Sequence, residues 1–537
     1  MRIVVIGAGP TGLGVTYRFH QLQNNNMVVA KNVELVVLEK ELSPGGLSRT
    51  VMDENGFFWD MGGHVTFDHN LPYYKEAICW AVDEWNILTR NCQVDISYMF
   101  NENGLHLVPY PIQYAVTMFP ANIKKKCLDD LRDRCKGPKA SRYLLIMKFD
   151  KFFTDMMIPR LTISCRISID PEILFAKILN DTILPKNFDD WIKKHFGPTL
   201  RNYFFKQYTQ KVWTVNPDQM NPVWVGTRIA KMPYEKLEEL CAMNEKDLKE
   251  ADLGWGPNAE FMFPKRYGTG YRSTKCNQYL SSRMKNASEA SSGENNPRDL
   301  SRTVEIVCSG EKKAIDIDVK SKLITYENER RGTIKLSYDV LISTEPIDQL
   351  IKHTKLCQEL DLKYNKVFVI GIGLIKPMNH NAERFTWLYF PENTVPFYRV
   401  TFLSRYGEMT PDNDKYWSVL CECARDINDN DVTEKEITEK TIECLIRKSI
   451  ISREQIVSLF SILLPYGYPI PTINRDEELT RAHRVLEKHE IYSRGRFGGW
   501  KYEVANQDHC FMQGKEIIDR ILLGEPETVY KNGLSPS

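Results

Sequence analysis

The chain has 537 residues, which is long enough for several domains and too long for one hydrophobic core. Hydrophobic residues make up 42% and charged residues 26%, values that are typical of a folded globular protein and exclude a disordered or fibrous chain. Lys and Arg total 71 against 70 Asp and Glu, so no global positive charge favours nucleic acid or an anionic membrane as a partner.

The 13 cysteines are scattered along the chain. None forms a CxxC pair, and only Cys421 and Cys423 lie close together, so we expect reduced thiols and no metal site. An apolar strand predicted at 3–6 leaves no room for a signal peptide before it, and no apolar run approaches the roughly 18 residues that span a bilayer. We therefore expect a cytoplasmic protein without a membrane span.

The predicted strand at 3–6 leads into a glycine-rich turn and then a helical pattern. The turn carries Gly7, Gly9 and Gly12, the spacing of a GxGxxG sequence. The first glycine permits the turn, the second lets the backbone approach a pyrophosphate, and the third lets the helix and strand pack closely. This segment predicts the start of a doubly wound, dinucleotide-binding α/β domain, although a glycine-rich turn that serves packing alone is the alternative.

Glu39 ends the second predicted strand, where a carboxylate is placed to bind the ribose of a dinucleotide. The polar segment after it contains two glycines that permit close approach of the backbone and an arginine that donates charge-assisted hydrogen bonds. Its residues are Gly45, Gly46, Leu47, Ser48 and Arg49. Such a segment favours FAD over NAD, because FAD proteins that resemble amine oxidases carry one; a plain turn is the alternative.

The rest of the chain changes its pattern twice. Between about 120 and 250 the pattern is helical, with Trp191, Ile192 and Phe196 on one face. From 366 onwards, runs rich in β-branched and aromatic residues predict an antiparallel sheet. The segment 495–500 is also strand-like, and a helical pattern follows it.

These patterns divide the chain into three predicted domains. We predict a discontinuous FAD-binding domain of 1–92, 253–350 and 490–537, a helical domain of 121–252, and an antiparallel sheet domain of 93–120 and 351–489.

Longer motifs follow one another along the chain. They are DMGGHV at 60–65, VPYPIQ at 108–113, KVW at 211–213, WGPN at 255–258, PFYR at 396–399, YGYP at 466–469, GRFG at 495–498 and WKYEVANQDH at 500–509. In this order they resemble the eukaryotic UDP-galactopyranose mutases, and the resemblance runs from the first strand to the final helix. It implies a Rossmann-like FAD-binding domain with an inserted helical domain and an antiparallel β-sheet domain, in agreement with the pattern analysis.

The resemblance implies an isomerase that interconverts UDP-galactopyranose and UDP-galactofuranose and supplies the latter for cell-surface glycan synthesis. It implies that reduced FAD attacks the anomeric carbon as a nucleophile, without net oxidation, and that NADPH is the reductant. No second GxGxxG-like turn marks an NADPH site, and the sequence leaves the oligomeric state open.

Site residues are also implied by the resemblance. Arg228 and Arg399 match the two arginines that hold the diphosphate in the family. A guanidinium group suits this role because it is planar, always charged and able to donate to two phosphate oxygens. A surface salt bridge is the alternative for each arginine. His64 lies beside the reactive edge of the flavin, with a purely structural histidine as the alternative. The implied substrate contacts are Phe67, Tyr110, Gln113, Thr209, Trp213, Asn258, Tyr406, Tyr468 and Tyr502. Further implied flavin contacts are Gly63, Arg496, Asn506 and Gln507.

The sequence departs from the family pattern at three positions. Thr209 stands where the family often carries asparagine. Tyr267 and Tyr271 stand where the family carries the two outer glycines of a Gly-Gly-Thr-Gly-Gly run. Because of these departures, a second hypothesis is a homologue that binds UDP-sugars but does not convert them. An FAD-dependent, amine-oxidase-like oxidoreductase is the other alternative, but such an enzyme has no need of the implied diphosphate contacts.

Overall fold

In a computed structural model, the described residues are 1–25, 27–67, 69–136, 185–226, 228–231, 234–243, 247, 260–270, 304–308, 316–328 and 332–531. The α-helices are Pro10–Asn24, Pro72–Ala81, Ser97–Phe100, Ala121–Lys136, Phe188–Leu200, Lys206–Trp213, Tyr234–Ala242, Ile347–Thr354, His380–Arg384, Glu434–Arg447, Arg475–Glu487 and Gln507–Leu523. Short 3₁₀ turns include Gly46–Ser48, Ile112–Met118, Pro217–Gln219, Val223–Val225, Leu403–Arg405 and Tyr502–Val504.

A five-stranded sheet forms the dinucleotide-binding part of the molecule. Its strands, from one edge to the other, are Ile491–Ser493, Val340–Ser343, Arg2–Ile6, Glu34–Glu39 and Val304–Cys308. All neighbouring pairs are parallel, and the inner strands are apolar on both faces, as expected for a sheet covered on both sides. The predicted α/β fold class is confirmed.

The first and last helices cross closely above this sheet. A Cβ atom on Gly14 would lie 2.1 Å from the carbonyl oxygen of Phe511, and one on Gly514 would lie 2.0 Å from that of Thr11. Both glycines therefore let the two backbones approach. The contact fixes the start of Gln507–Leu523 beside the glycine-rich turn.

Replacement of Gly514 by alanine is expected to destabilise the protein by about 1–3 kcal/mol, because the added methyl group must push the two helices apart. The melting temperature of the purified protein measures the effect. Gly104→Ala is the matched control, since a Cβ atom there meets nothing within 4 Å. Equal melting temperatures for the two variants would contradict the assigned helix contact.

An eight-stranded sheet forms a second part of the fold. Its strands, in spatial order, are Ile456–Leu464, Lys363–Ile375, Tyr416–Asp426, Arg399–Thr401, Trp387–Tyr389, Cys92–Asp95 and Leu107–Pro109, and Pro469–Ile470 also pairs with Lys363–Ile375. The pairing is antiparallel except between Trp387–Tyr389 and Cys92–Asp95, which are parallel. The predicted sheet domain is thus confirmed as an element of the fold, with one parallel pair added.

The remaining strands form small sheets. Asp316–Asp318, Leu323–Asn328 and Gly332–Ser337 make an antiparallel group of three, Thr50–Met52 pairs with Phe58–Asp60, and Trp85–Thr89 pairs with Glu260–Pro264.

The helical part packs its apolar face into a core shared with the eight-stranded sheet. Trp191, Ile192 and Phe196 of helix Phe188–Leu200 are buried there, as the helical pattern predicts. A five-residue π-helical turn, Arg201–Phe205, leads from this helix into Lys206–Trp213. None of the helices in the described ranges is both long enough and apolar enough to cross a bilayer.

The predicted strand at 495–500 is wrong. The strand ends at Ser493, and the chain then turns back on itself. Gly495 adopts a φ of +98°, and a Cβ atom on Gly498 would lie 2.3 Å from the carbonyl oxygen of Arg494. This tight turn accounts for the glycines, while the aromatic residues between and after them pack into the core.

Candidate active site

A cavity of about 1850 Å³ lies between the three parts of the fold and brings together most of the predicted site residues. The predicted residues that line it are Gly7, Gly9, Glu39, Gly46, Leu47, Ser48, Arg49, Gly63, His64, Phe67, Tyr110, Gln113, Thr209, Trp213, Arg228, Arg399, Tyr468, Arg496, Tyr502, Asn506 and Gln507. Gly12 and Gly45 do not line the cavity but contact the glycine-rich turn, since the N–H of Gly45 donates to the Ala8 carbonyl oxygen at 2.8 Å and Gly12 packs against the Gly7 carbonyl. Asn258 and Tyr271 lie outside the described residues.

Tyr406 is placed differently from the other predicted contacts. Its side chain is fully buried, with its ring 5.2 Å from each of the rings of Phe261 and Phe263. Its hydroxyl donates to the carbonyl oxygen of Thr386 at 3.3 Å. Tyr406 does not line the cavity, and its substrate contact stays a prediction.

The glycine-rich turn has the geometry that its spacing predicts. Gly7 adopts a φ of +93°, and a Cβ atom on Gly12 would lie 2.1 Å from the Gly7 carbonyl oxygen. Gly9 faces Gly46, where a Cβ atom would lie 3.1 Å from the Gly9 Cα. Two bare backbone segments thus form a cradle at this end of the cavity, open to a flat or phosphorylated group.

Glu39 braces this cradle. Its carboxylate accepts hydrogen bonds from the backbone N–H groups of Ala8 at 2.7 Å and Glu41 at 3.0 Å. Burial raises the pKa of Glu39, and these two hydrogen bonds oppose the shift. The predicted ribose contact would use the remaining lone pairs of the same oxygens.

Several buried polar atoms along the cavity have no hydrogen-bond partner within the described ranges. Arg49 Nε, His64 Nδ1, Arg496 Nε and Gln507 Nε2 are among them. Buried donors and acceptors are normally paired, so unsatisfied ones grouped along a cavity wall mark where a polar ligand binds. The first residues of helix Gln507–Leu523 lie at the same wall and add their positive dipole end.

Arg399 forms a buried ion pair with Glu422. Its Nη2 donates to Glu422 Oε1 at 2.8 Å, and its Nε donates to the other carboxylate oxygen. Tyr398 donates a third hydrogen bond to Glu422 at 3.1 Å and lies 3.2 Å from the hydroxyl of Tyr468. Burial raises the pKa of Glu422, but the charge of Arg399 outweighs it, so the pKa lies below the ordinary value.

Gly63 lets the segment of His64 pack against this pair. A Cβ atom on Gly63 would lie 2.4 Å from Thr401 Oγ1 and 3.3 Å from the guanidinium carbon of Arg399. Any larger residue at 63 would displace the arginine. The implied flavin contact of Gly63 stays a prediction, and within the protein the contacts that require a glycine here are those with Thr401 and Arg399.

His64 is a neutral imidazole at physiological pH. Burial lowers the pKa of its ring to about 4; Glu422 opposes this shift, and the charges of Arg399 and Arg496 add to it. The ring therefore carries a proton on both nitrogens only at a pH near or below about 4. It is unsuited to supply a proton as an imidazolium near neutral pH.

We expect the pH profile of kcat/KM between about pH 6 and 8 to contain no limb that belongs to His64. His64→Asn should change the height of the profile and leave its shape. The measurement is turnover of the reduced enzyme across this range for both proteins. A limb near pH 6.5 that is present in the wild type and absent from the variant would contradict the low pKa.

Arg228 lies across an aromatic cluster that also lines the cavity. Its Nη2 donates to the carbonyl oxygens of Tyr502 at 3.0 Å and Glu503 at 2.9 Å, and its guanidinium carbon lies 4.5 Å from the centre of the Tyr502 ring. Arg496 lies 5.0 Å over the ring of Tyr468. Both arginines are thus held by carbonyls and ring faces, with donors left for a ligand.

Trp213 completes this cluster. Its ring lies 4.7 Å from that of Tyr502 and 5.4 Å from that of Tyr468. Thr209 is buried one turn earlier on the same helix, Lys206–Trp213. The short hydroxyl of Thr209 reaches less far into the cavity than an asparagine would.

Tyr110 and Gln113 also line the cavity. Gln113 Nε2 donates to the carbonyl oxygen of Ala230 at 2.7 Å, which leaves its amide oxygen to accept. The ring of Tyr110 lies 4.9 Å from that of Tyr389 and 4.8 Å from the guanidinium carbon of Arg90. Tyr389 and Arg90 both line the cavity, and sequence reasoning missed them; neither stands in a motif that marks a site.

A hydrogen-bonded cluster of His69, Asp508 and His509 also borders the cavity. His69 Nδ1 lies 2.5 Å from one oxygen of Asp508, and His509 Nδ1 lies 3.3 Å from the other. Burial raises the pKa of Asp508, but the hydrogen bonds from both histidines outweigh it and the pKa is lowered. The three groups could hold a metal ion only if the short His69 contact opened. The nine cysteines whose side chains the structure describes are free thiols.

Comparison with known proteins decides the family. The crystal structure of a reduced UDP-galactopyranose mutase is 33% identical to the chain, covers 99% of this chain and 96% of that one, and superposes with a TM-score of 0.76. The chain belongs to the UDP-galactopyranose mutase family. No protein-family model matches it.

The mutase fold is shared with more distant proteins. A protein from Exiguobacterium sp. 255-15 assigned as a protoporphyrinogen oxidase is 13% identical over 98% of this chain and 99% of that one, with a TM-score of 0.60. A putrescine oxidase bound to putrescine is 12% identical over 97% of this chain and 99% of that one, with a TM-score of 0.50. At these identities the likeness is one of fold alone.

Proposed function

We propose that the protein interconverts UDP-galactopyranose and UDP-galactofuranose and that it uses reduced FAD to do so. The observation that carries this proposal is one continuous cavity. It joins a dinucleotide-type glycine cradle to a wall of arginines and tyrosines that includes Arg228, Arg399, Tyr468 and Tyr502. Family membership supports the same activity, since the similar mutase carries it in its name.

The residues at the cradle fit FAD. Gly9 and Gly46 leave room for a pyrophosphate, and the unpaired nitrogens of Arg49, Arg496 and Gln507 suit a polar ring edge. When bound in its reduced form, FAD supplies a nucleophilic nitrogen for the anomeric carbon of the sugar. NADPH remains our proposed reductant, and the cytoplasm our proposed location.

The chain's own task is to hold the diphosphate while its bond to the sugar breaks and forms again. Arg228 suits this task because its remaining N–H groups are charged donors on a guanidinium plane fixed by Tyr502. The phenols of Tyr468 and Tyr502 add neutral donors. Arg399 acts with its charge partly compensated by Glu422, which limits how tightly the departing UDP is held.

An amine oxidase is the alternative that shares the fold. The cavity wall near the tyrosines argues against it, because Arg90, Arg228 and Arg496 present positive charge there. A cationic amine would be repelled, whereas a diphosphate would be attracted.

The test is turnover of the purified, FAD-containing protein. It is reduced with dithionite without oxygen, given UDP-galactofuranose, and UDP-galactopyranose is followed by chromatography. Conversion in the reduced state and none in the oxidised state is expected. Tight UDP binding without conversion would indicate an inactive homologue, and flavin reduction by an amine would indicate an oxidase.

A further inference from the structure

Arg90 lines the cavity and has no acidic partner among the residues that the structure describes. Its guanidinium carbon lies 4.8 Å from the centre of the Tyr110 ring and 5.5 Å from that of Trp387. Its Nε donates to the sulfur of Cys92 at 3.4 Å. Throughout the described ranges, no carboxylate oxygen lies within 4.0 Å of its nitrogens.

The environment nevertheless keeps Arg90 charged. Burial opposes the charge, but the neighbouring Cys92 thiol and the phenols of Tyr389 and Tyr110 raise the pKa of Arg90. Arg90 is partly buried, and its neighbours offer ring faces, phenol groups and a thiol but no negative charge. An anion that enters the cavity would supply the counter-charge and offset the cost of burying this cation.

The neighbouring arginine is in a different situation. Arg399 has its counter-charge inside the protein, in Glu422. Arg90 and Arg399 both line the cavity, and the positive charges of both lower the pKa of the Cys92 thiol, against the larger effect of burial, which raises it. A bound anion would therefore stabilise the charge of Arg90 more than that of Arg399, whose charge Glu422 already compensates.

We propose that Arg90 is a third diphosphate-binding arginine and that it makes the site select nucleoside diphosphates over monophosphates and nucleosides. This inference rests on the proposed function, which supplies a UDP-sugar as the substrate. Uracil is the less suitable partner for Arg90, because a neutral base leaves the charge uncompensated. The amide of Gln113, which also lines the cavity, already offers an acceptor and a donor to a base.

Stacking fixes the direction of the Arg90 donors. The guanidinium carbon lies over the ring faces of both Tyr110 and Trp387, and these contacts restrict the orientation of the guanidinium before a ligand arrives. Lysine at this position would keep the charge and lose the oriented fork. Arg90→Lys is therefore expected to bind UDP with an affinity between those of the wild type and Arg90→Met.

The test is isothermal titration of the purified, FAD-containing protein with UDP, UMP and uridine. Arg90→Met is expected to weaken UDP binding by about 10-fold or more, UMP binding by less, and uridine binding by less than about 2-fold. Arg453→Met is the matched control, because Arg453 is exposed and pairs with Glu439 on the surface. Its affinities should equal those of the wild type.

Unchanged UDP affinity in Arg90→Met, or equal losses for UDP and uridine, would overturn the proposal. If Arg90→Met lacks FAD or melts early, Arg90→Lys decides: wild-type UDP affinity there rejects an oriented diphosphate contact. UDP binding without sugar conversion by the wild type would reject the proposed activity and leave the Arg90 comparison readable. A wild type that binds neither UDP nor UMP would reject both.

Discussion

Arg228→Ala is expected to lower kcat/KM for UDP-galactofuranose at least roughly 30-fold, which corresponds to a loss of about 2 kcal/mol in transition-state stabilisation. The reason is the loss of a charged, pre-oriented donor at the diphosphate. Arg228 is the informative arginine for this test because its protein contacts are two carbonyl oxygens and the face of Tyr502. Its removal therefore strands no buried carboxylate.

The measurement is initial turnover of the reduced enzyme over a range of UDP-galactofuranose concentrations. Arg453→Ala serves as the control, since that side chain is half exposed and its partner Glu439 is exposed as well. A surface pair of this kind contributes little, so its loss should leave kcat/KM unchanged. Near-wild-type kinetics for Arg228→Ala would remove Arg228 from the diphosphate site.

The local parts of the site could be predicted from the sequence because the reasons for them are local. The spacing of Gly7, Gly9 and Gly12 requires only one strand, one turn and one helix, and the backbone angle at Gly7 agrees with it. The buried strands of the five-stranded sheet are similarly visible as short apolar runs. Periodicity and turn chemistry are properties of neighbouring residues, so no knowledge of the tertiary fold is needed.

The Arg399–Glu422 pair could not be predicted in this way. The two residues face each other across neighbouring strands, Arg399–Thr401 and Tyr416–Asp426, and strand register decides which side chains meet. The sequence shows only a glutamate inside an apolar strand, a signal that its charge has a buried partner. Arg90 carried even less signal, since nothing in its neighbourhood marks it as facing a cavity.

The turn at 495–500 shows the opposite error. Its aromatic and glycine residues look strand-like in composition, but Gly495 and Gly498 serve a reversal of the chain. The reversal brings the side chain of Arg496 over Tyr468, where it lines the cavity. The aromatic and glycine composition favours a strand, but composition contains no information about the positive φ of Gly495, which only a glycine adopts easily.

Glu422→Gln is expected to destabilise the protein by about 3 kcal/mol near neutral pH, because the variant leaves the charge of Arg399 buried without its counter-charge. The shape of the side chain is kept, so packing is not the cause. The pKa of Glu422 lies below its ordinary value of 4.5 in the folded protein. The stabilisation is therefore fully present above pH 4.5 and is lost as the pH falls through the lower, folded-state pKa.

Urea denaturation midpoints of the wild type and Glu422→Gln at several pH values measure this linkage. The difference between the two proteins should be constant from about pH 7 to pH 5 and should narrow below the ordinary glutamate pKa, where Glu422 of the unfolded wild-type chain takes up a proton that the folded protein still excludes. Glu439→Gln, which removes the exposed partner of Arg453, should have no measurable effect at any of these pH values. If Glu422→Gln were as stable as the wild type at neutral pH, Arg399 would not depend on Glu422 for its charge balance. Its positive charge would then have to be compensated by water in the cavity, and Arg399 would be as free as Arg90 to bind an anion.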